Sequence, residues 1–147
     1  MIHPAPVSAI DPALARGTLR EIIPATVLRP AFAVLSYANT DYQLHLVPEG
    51  EIAARPGSRT IGIISARAKR IDVCGTGGRY VEPVMGTPRR VQGSIIRVDA
   101  ASNEIVVHAG VPVHVTPTDP RQKASDFEVG QFVTFGVENG ASYREQR

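Results

Sequence analysis

Apolar and polar residues alternate along much of this chain with a period of two, which is typical of half-buried β-strands. Two such runs, Ala31–Tyr37 and Tyr42–Val47, flank the turn residues Asn39-Thr40-Asp41. In the second run one face carries only apolar or aromatic side chains, those of Tyr42, Leu44 and Leu46. We therefore predict an antiparallel hairpin whose second strand packs this face inward.

A second hairpin is predicted from the runs Thr60–Arg67 and Arg70–Cys74, joined by a basic turn at Ala68 and Lys69. Ile71 and Val73 should then face the core. After the glycine-rich break at residues 75–78, a short strand over residues 79–84 contains Pro83, which favours an edge position or a strand end.

The region from Val91 to Val137 contains the clearest succession of strands. Two apolar runs surround the turn D-A-A-S-N, a two-residue turn at Ala109-Gly110 leads into V-P-V-H-V, and a final run ends at Val137. For a two-residue turn, His108 pairs with Val111 and His114 pairs with Ile105. The two histidines are therefore predicted on opposite faces of their hairpin.

Hairpins without long helical patterns between them predict an all-β fold, and closing the sheet removes exposed edges. We predict a small antiparallel β-barrel with additional N-terminal hairpin strands, eight or nine in all. Two small barrels packed together are the alternative. The expected organisation is a flexible arm over residues 1–17, one barrel domain over 18–140 and a tail over 141–147. Within the arm, Asp11-Pro12 indicates a helix of at most two turns, with an extended Thr18–Ile23 as the other possibility.

The last strand resembles a known pattern. The run from Asp126 to Gly140, D-F-E-V-G-Q-F-V-T-F-G-V-E-N-G, is similar to the fourth strand of cold-shock domains and to strands of other oligonucleotide/oligosaccharide-binding (OB) folds. The resemblance implies an OB-like barrel in which Val133, Phe135 and Val137 face inward. Cold-shock domains bind bases through aromatic-rich strands, whereas residues 103–108 here contain no aromatic residue.

Composition limits the class of protein. The chain of 147 residues contains four Tyr, four Phe and no Trp, so its core must be largely aliphatic. Cys74 is the single cysteine, which excludes an intrachain disulfide and favours a reducing compartment. The N-terminal prolines interrupt any signal-peptide or membrane-spanning run. We expect a soluble cytoplasmic protein with no membrane partner.

Charge is distributed unevenly although the whole chain carries only +2. Residues 1–61 are neutral in sum, residues 62–98 carry +5 and residues 99–147 carry −3. Guanidinium groups suit phosphate and carboxylate ligands. The candidate binding residues for an anionic partner, nucleic acid or an acidic protein surface, are Arg67, Lys69, Arg70, Arg79, Arg89, Arg90 and Arg97. Tyr80 and Phe132 are the aromatic residues expected to stack on bases.

Other motifs are incomplete. The pair Arg89-Arg90 resembles the basic pair of PilZ domains, which bind a cyclic dinucleotide, but their [DN]-x-S-x-x-G element is missing. The glycines at 75–78 could cradle a phosphate, yet a hairpin turn explains them. Cys74 lacks the spacing of a phosphatase loop, and the four histidines form no ligand cluster. We therefore expect that the protein is not an enzyme and that it binds no cofactor and no metal.

The sequence thus predicts a non-enzymatic β-barrel binding module with a basic face. A structural protein that self-associates into a homo-oligomer through its +5 and −3 segments is one alternative. A barrel that holds a small ligand near residues 75–90, as a PilZ-like domain would, is another.

Overall fold

A computed structural model describes residues 11–75 and 77–146. This part of the protein is all-β apart from one turn of 3-10 helix, Ala124–Asp126. Its strands are β1 (Ala15–Ile23), β2 (Phe32–Tyr37), β3 (Gln43–Pro48), β4 (Arg59–Val73), β5 (Tyr80–Glu82), β6 (Met85–Gly86), β7 (Arg90–Asp99), β8 (Glu104–His108), β9 (Pro112–Pro117), β10 (Phe132–Val137) and β11 (Ser142–Glu145).

The strand pairings form two closed circuits that share β4. The first circuit runs from β4 through β1, β2, β3 and β11 back to β4. The second runs from β4 through β9, β8, β7 and β10 back to β4. Closure of this kind leaves few unpaired strand edges. The short strands β5 and β6 pair with β7 and β3, respectively.

Strand β4 serves both circuits because it has 15 residues, about 50 Å of extended chain. One of its edges pairs with β1 and then with β9, and the other pairs with β11 and then with β10. The predicted hairpin with a turn at Ala68 and Lys69 is therefore wrong. Ala68 is fully buried within a continuous strand.

A β-bulge gives this segment its turn-like sequence pattern. Opposite β10, Phe135 pairs with Ile71 whereas Val137 pairs with Ala68, so β4 contributes one extra residue. The bulge interrupts the alternation and leaves two consecutive side chains, Lys69 and Arg70, exposed. Ile71 faces the core as predicted, but the prediction for Val73 is wrong, since that residue is 57% exposed.

Several local predictions are confirmed. Strands β2 and β3 form the first hairpin, and Tyr42, Leu44 and Leu46 are buried. Strands β7 and β8 pair around the D-A-A-S-N turn. In β10 the inward residues are Val133, Phe135 and Val137. The sheet is larger than expected, since it has eleven strands rather than eight or nine. The expectation of a purely antiparallel sheet is wrong, since β3 pairs in parallel with β6 and β11, and β4 pairs in parallel with β9.

The β8–β9 hairpin has a different register from the one predicted. His108 pairs with Pro112, and Val106 pairs with His114, so three residues connect the strands and both histidines lie on one face. The predicted opposite placement is wrong. His114 Nδ1 lies 2.6 Å from a carboxylate oxygen of Glu104, and its Nε2 lies 2.8 Å from the carbonyl oxygen of Ala13. These contacts hold the chain before β1 against the second circuit.

Both ends of the described chain are integrated into the fold. The expectation of a tail over residues 141–147 is wrong for Ser142–Glu145, which form β11 between β3 and β4. Tyr143 is fully buried against the backbone of Gly62, and its hydroxyl lies 2.7 Å from Thr60 Oγ1.

At the other end, residues 1–10 of the expected arm lie outside the described residues. Ala13 and Ala15 are buried, so the arm does not extend to residue 17 as predicted. The Asp11 carboxylate accepts the N–H of Ala13, and the chain then enters β1 rather than a helix. The extended alternative for Thr18–Ile23 is confirmed.

Tyr42 connects the two circuits. Its hydroxyl donates to the carbonyl of Ala109 at 2.8 Å and accepts the N–H of Val81 at 2.9 Å. Its aromatic ring packs against Gly110. Gly110 has a φ of +88°, a conformation that is unfavourable for residues with a side chain. Burial raises the pKa of Tyr42, partly opposed by the hydrogen bond from Val81.

Two other buried tyrosines lie in the first circuit. Burial, with a contribution from neighbouring Tyr143, raises the pKa of Tyr37 well above its usual value. Burial likewise raises the pKa of Tyr143, against the effect of its hydrogen bond with Thr60. The hydroxyl of Tyr37 is buried without a hydrogen-bond partner among the described residues, unlike that of Tyr42.

Candidate functional site

The outward side of the second circuit brings many of the predicted residues together. Thr134 of β10 lies between Gln92 of β7 and Asp72 of β4, and Tyr80 of β5 lies beyond Gln92. In the next row, Arg90 lies between Gly136 of β10 and Glu82 of β5, and Gly136 lies beside the bulge of β4. We call this surface the basic face and define it by Lys69, Arg70, Arg79, Tyr80, Arg90, Gln92, Phe132 and Thr134.

The bulge and a glycine position the cations of the basic face. The bulge places Lys69 and Arg70 on the same outward side, where regular alternation would separate them. Gly136 has no side chain between β4 and β7, and Lys69 Cδ lies 3.4 Å from the position where a Cβ of that residue would stand. The Lys69 side chain therefore lies over Gly136 of β10.

The two aromatic residues lie on either side of β7. Tyr80 pairs with Gln92, and Phe132 pairs with Ser94, so their strands are two spacings, about 10 Å, apart. The Tyr80 hydroxyl donates to the Gln92 side chain at 3.1 Å. Gln92 in turn donates to the carbonyl of Gly78 at 2.9 Å, so the glycine-rich loop is folded against this surface. Both aromatic side chains remain half-buried.

The charges of the basic face are only partly compensated. Arg70 forms an ion pair with Asp72 at 3.1 Å, and Arg79 donates to Ser94 Oγ at 3.1 Å. Among the described residues, no carboxylate lies within ion-pair distance of Lys69, Arg79 or Arg90. Three cations are thus available to an anionic ligand.

The remaining predicted cations do not belong to this surface. Arg67 forms an ion pair with Glu138 at 3.4 Å, and Arg97 forms one with Asp11 at 3.0 Å. The pairing of Arg97 with Asp11 could not be predicted from the sequence, because the two residues lie far apart in the chain. Arg89 is exposed just before β7 begins. The predicted set of seven is therefore divided between a shared surface and separate ion pairs.

The structure contains a cleft in the first circuit. Its position differs from that of the predicted small-ligand pocket near residues 75–90. It has a volume of about 670 Å³ and is lined by β1, the β2–β3 turn and the start of β4 in the first circuit. Three arginines line it: Arg16, Arg20 and Arg59. Sequence reasoning missed them because residues 1–61 are neutral in sum. The available signal was the run R-G-T-L-R, in which Arg16 and Arg20 lie four residues apart, with Thr18 midway between them.

In the described ranges 11–75 and 77–146 no group of three His, Cys, Asp or Glu side chains is placed to hold a metal ion. The same residues include no helix with the length and apolar character needed to cross a membrane. The chain matches no family model, no curated protein and no solved structure.

Proposed function

We propose that the protein is a non-enzymatic binding module that holds single-stranded nucleic acid on its basic face. In this proposal the two strand circuits are two small β-barrels that share β4, and the second has the size of an OB-type barrel. The observation that carries the proposal is the placement of Tyr80 and Phe132 on the same outward surface as Lys69, Arg79 and Arg90.

Single strands are bound without strong sequence preference by cations that contact phosphates and by aromatic side chains that stack on bases. Lys69, Arg79 and Arg90 supply the first component, and Arg70 supplies a fourth cation if a phosphate replaces Asp72 as its partner. Tyr80 and Phe132 supply the second. Their strands are about 10 Å apart and their positions are offset by two residues, about 7 Å, along β7, so their backbone positions lie about 12 Å apart. This distance exceeds one base step, and we expect them to contact bases that are not adjacent.

Fluorescence anisotropy with a labelled oligothymidine tests the proposal. If four cations contact phosphates, log K should fall with log salt concentration with a slope of about −3. The double variant Lys69→Gln/Arg90→Gln should reduce the slope to about −1.4. Phe132→Leu should weaken binding roughly tenfold at constant slope, because it removes a stacking surface and no charge.

A matched control removes an arginine outside the basic face. Arg29 is exposed in the β1–β2 connection, and Arg29→Gln should leave both affinity and slope unchanged. Absence of binding at low ionic strength would refute the proposal. Binding that weakens equally in Arg29→Gln and Lys69→Gln/Arg90→Gln would mean attraction by overall charge rather than by this surface.

A further inference from the structure

The cleft of the first circuit carries a concentration of positive charge that the proposed nucleic-acid interface does not use. Arg16 and Thr18 lie on the outward side of β1, Arg20 follows at a β-bulge between Leu19 and Glu21, and Thr18 pairs with Arg59 of β4. Neighbouring β-strands lie about 5 Å apart, and residues two apart on a strand lie about 7 Å apart. The three guanidinium groups therefore start from backbone positions around one threonine.

One of these guanidinium groups is already oriented. Ser36 of β2 pairs with Thr18, and the Ser36 hydroxyl accepts a hydrogen bond from Arg20 Nε at 2.8 Å. This contact leaves the terminal nitrogens of Arg20 available. Within the residues that the structure describes, no ion pair involves Arg16, Arg20 or Arg59.

Arg59 lies opposite Thr18 and Arg16 opposite Ile61, so the arginines occupy diagonal positions, across which their like charges still repel. The cleft lining contains one acidic residue, Asp41, against the three arginines, which gives it a net charge of +2. A bound anion would remove the repulsion. The arrangement is therefore costly in the free protein and favourable in a complex with a negatively charged ligand.

We propose that this cleft binds a small phosphorylated molecule of about mononucleotide size. A phosphate monoester carries close to two negative charges and three acceptor oxygens, which matches the net charge and the number of guanidinium groups better than a single carboxylate does. The volume of about 670 Å³ lies within the range of small-molecule sites. The Thr18 hydroxyl, between the arginines, and the side-chain amide of Gln43 also line the cleft and supply polar contacts for the body of the ligand.

Isothermal titration calorimetry with adenosine monophosphate, ribose 5-phosphate, citrate and adenosine tests this proposal. We expect the two phosphorylated probes to bind with one site per chain, and adenosine to give no signal at the same concentrations. Citrate binding as tightly as the phosphorylated probes would overturn the assignment to phosphate. Failure of both phosphorylated probes to bind would overturn the site itself.

The double variant Arg16→Gln/Arg59→Gln should lower the affinity for the phosphorylated probes at least tenfold, since it removes two charged hydrogen-bond donors. Both side chains are exposed, so the variant should fold, and circular dichroism checks this. At low salt the free variant should also be slightly more thermostable than the parent, because repulsion is relieved. Retained affinity in the folded variant would refute the role of these arginines.

The basic-face variant Lys69→Gln/Arg90→Gln is the charge-matched control and should bind the phosphorylated probes normally. Conversely, Arg16→Gln/Arg59→Gln should bind oligothymidine normally. The two proposals can therefore fail independently, since each variant removes two positive charges from a different circuit.

Discussion

Replacing Tyr42 by phenylalanine removes a single oxygen atom that two buried backbone groups share. The N–H of Val81 and the carbonyl of Ala109 each lose a hydrogen bond of 2.8–2.9 Å, and both residues are essentially inaccessible to water. A buried polar group left without a partner costs about 1–3 kcal/mol. With two such groups, we expect Tyr42→Phe to lower the free energy of unfolding by roughly 3 kcal/mol.

The chain contains its own control for this substitution. Tyr37 is equally buried, but its hydroxyl has no hydrogen-bond partner in the described part of the chain. Tyr37→Phe removes the same atom without orphaning a backbone group, so stability should change by less than about 0.5 kcal/mol or increase. The comparison separates the loss of specific hydrogen bonds from the general effect of removing a buried hydroxyl.

Urea unfolding followed by far-ultraviolet circular dichroism measures both effects without relying on tyrosine fluorescence. For a chain of this length, a loss of 3 kcal/mol corresponds to a fall in Tm of about 6–12 °C. Equal destabilisation by the two substitutions, or a Tyr42→Phe variant as stable as the parent, would refute the hydroxyl bridge between the circuits.

Two further predictions concern packing and pH. Gly93→Ala should lower the unfolding free energy by about 3 kcal/mol, because a Cβ there would overlap the carbonyl oxygen of His108. Gly75→Ala, which meets open space, should change it by less than about 0.5 kcal/mol, and equal urea midpoints for both variants would contradict this packing. Stability should also fall above pH about 10, because tyrosines ionise there in the unfolded chain while burial raises the pKa of Tyr37, Tyr42 and Tyr143 in the folded one. Urea midpoints measured between pH about 8 and 11 should show this loss, and a constant midpoint would contradict it.

The sequence determined those features that depend on neighbouring residues. Alternation identified the inward faces of β3 and β10, and turn residues located the β2–β3 and β7–β8 connections. These features follow from a period of two and from local backbone preferences, so they do not require knowledge of the pairing partner. The candidate cations Lys69, Arg70, Arg79 and Arg90 were likewise recognisable from their concentration in one segment.

Only the tertiary structure decided which strands pair and which cations share a surface. The bulge at Lys69 and Arg70 is fixed by the register against β10, and locally it resembles a turn. Strand β11 has four residues and little alternation, yet it inserts between β3 and β4 because Tyr143 fills the space above Gly62. Contacts between residues far apart in the chain have no local signature, which is why both were missed.

The same reason applies to the cleft. Arg16 and Arg20 lie some 40 residues before Arg59, in a segment whose charges cancel in sum. The pairing of β1 with β4 brings the three cations around Thr18, and the acids that balance them in the sequence lie mostly outside the cleft. Electrostatic energy depends on the distance between charges in space. The positive charge of the cleft therefore could not be derived from the summed charge of a chain segment.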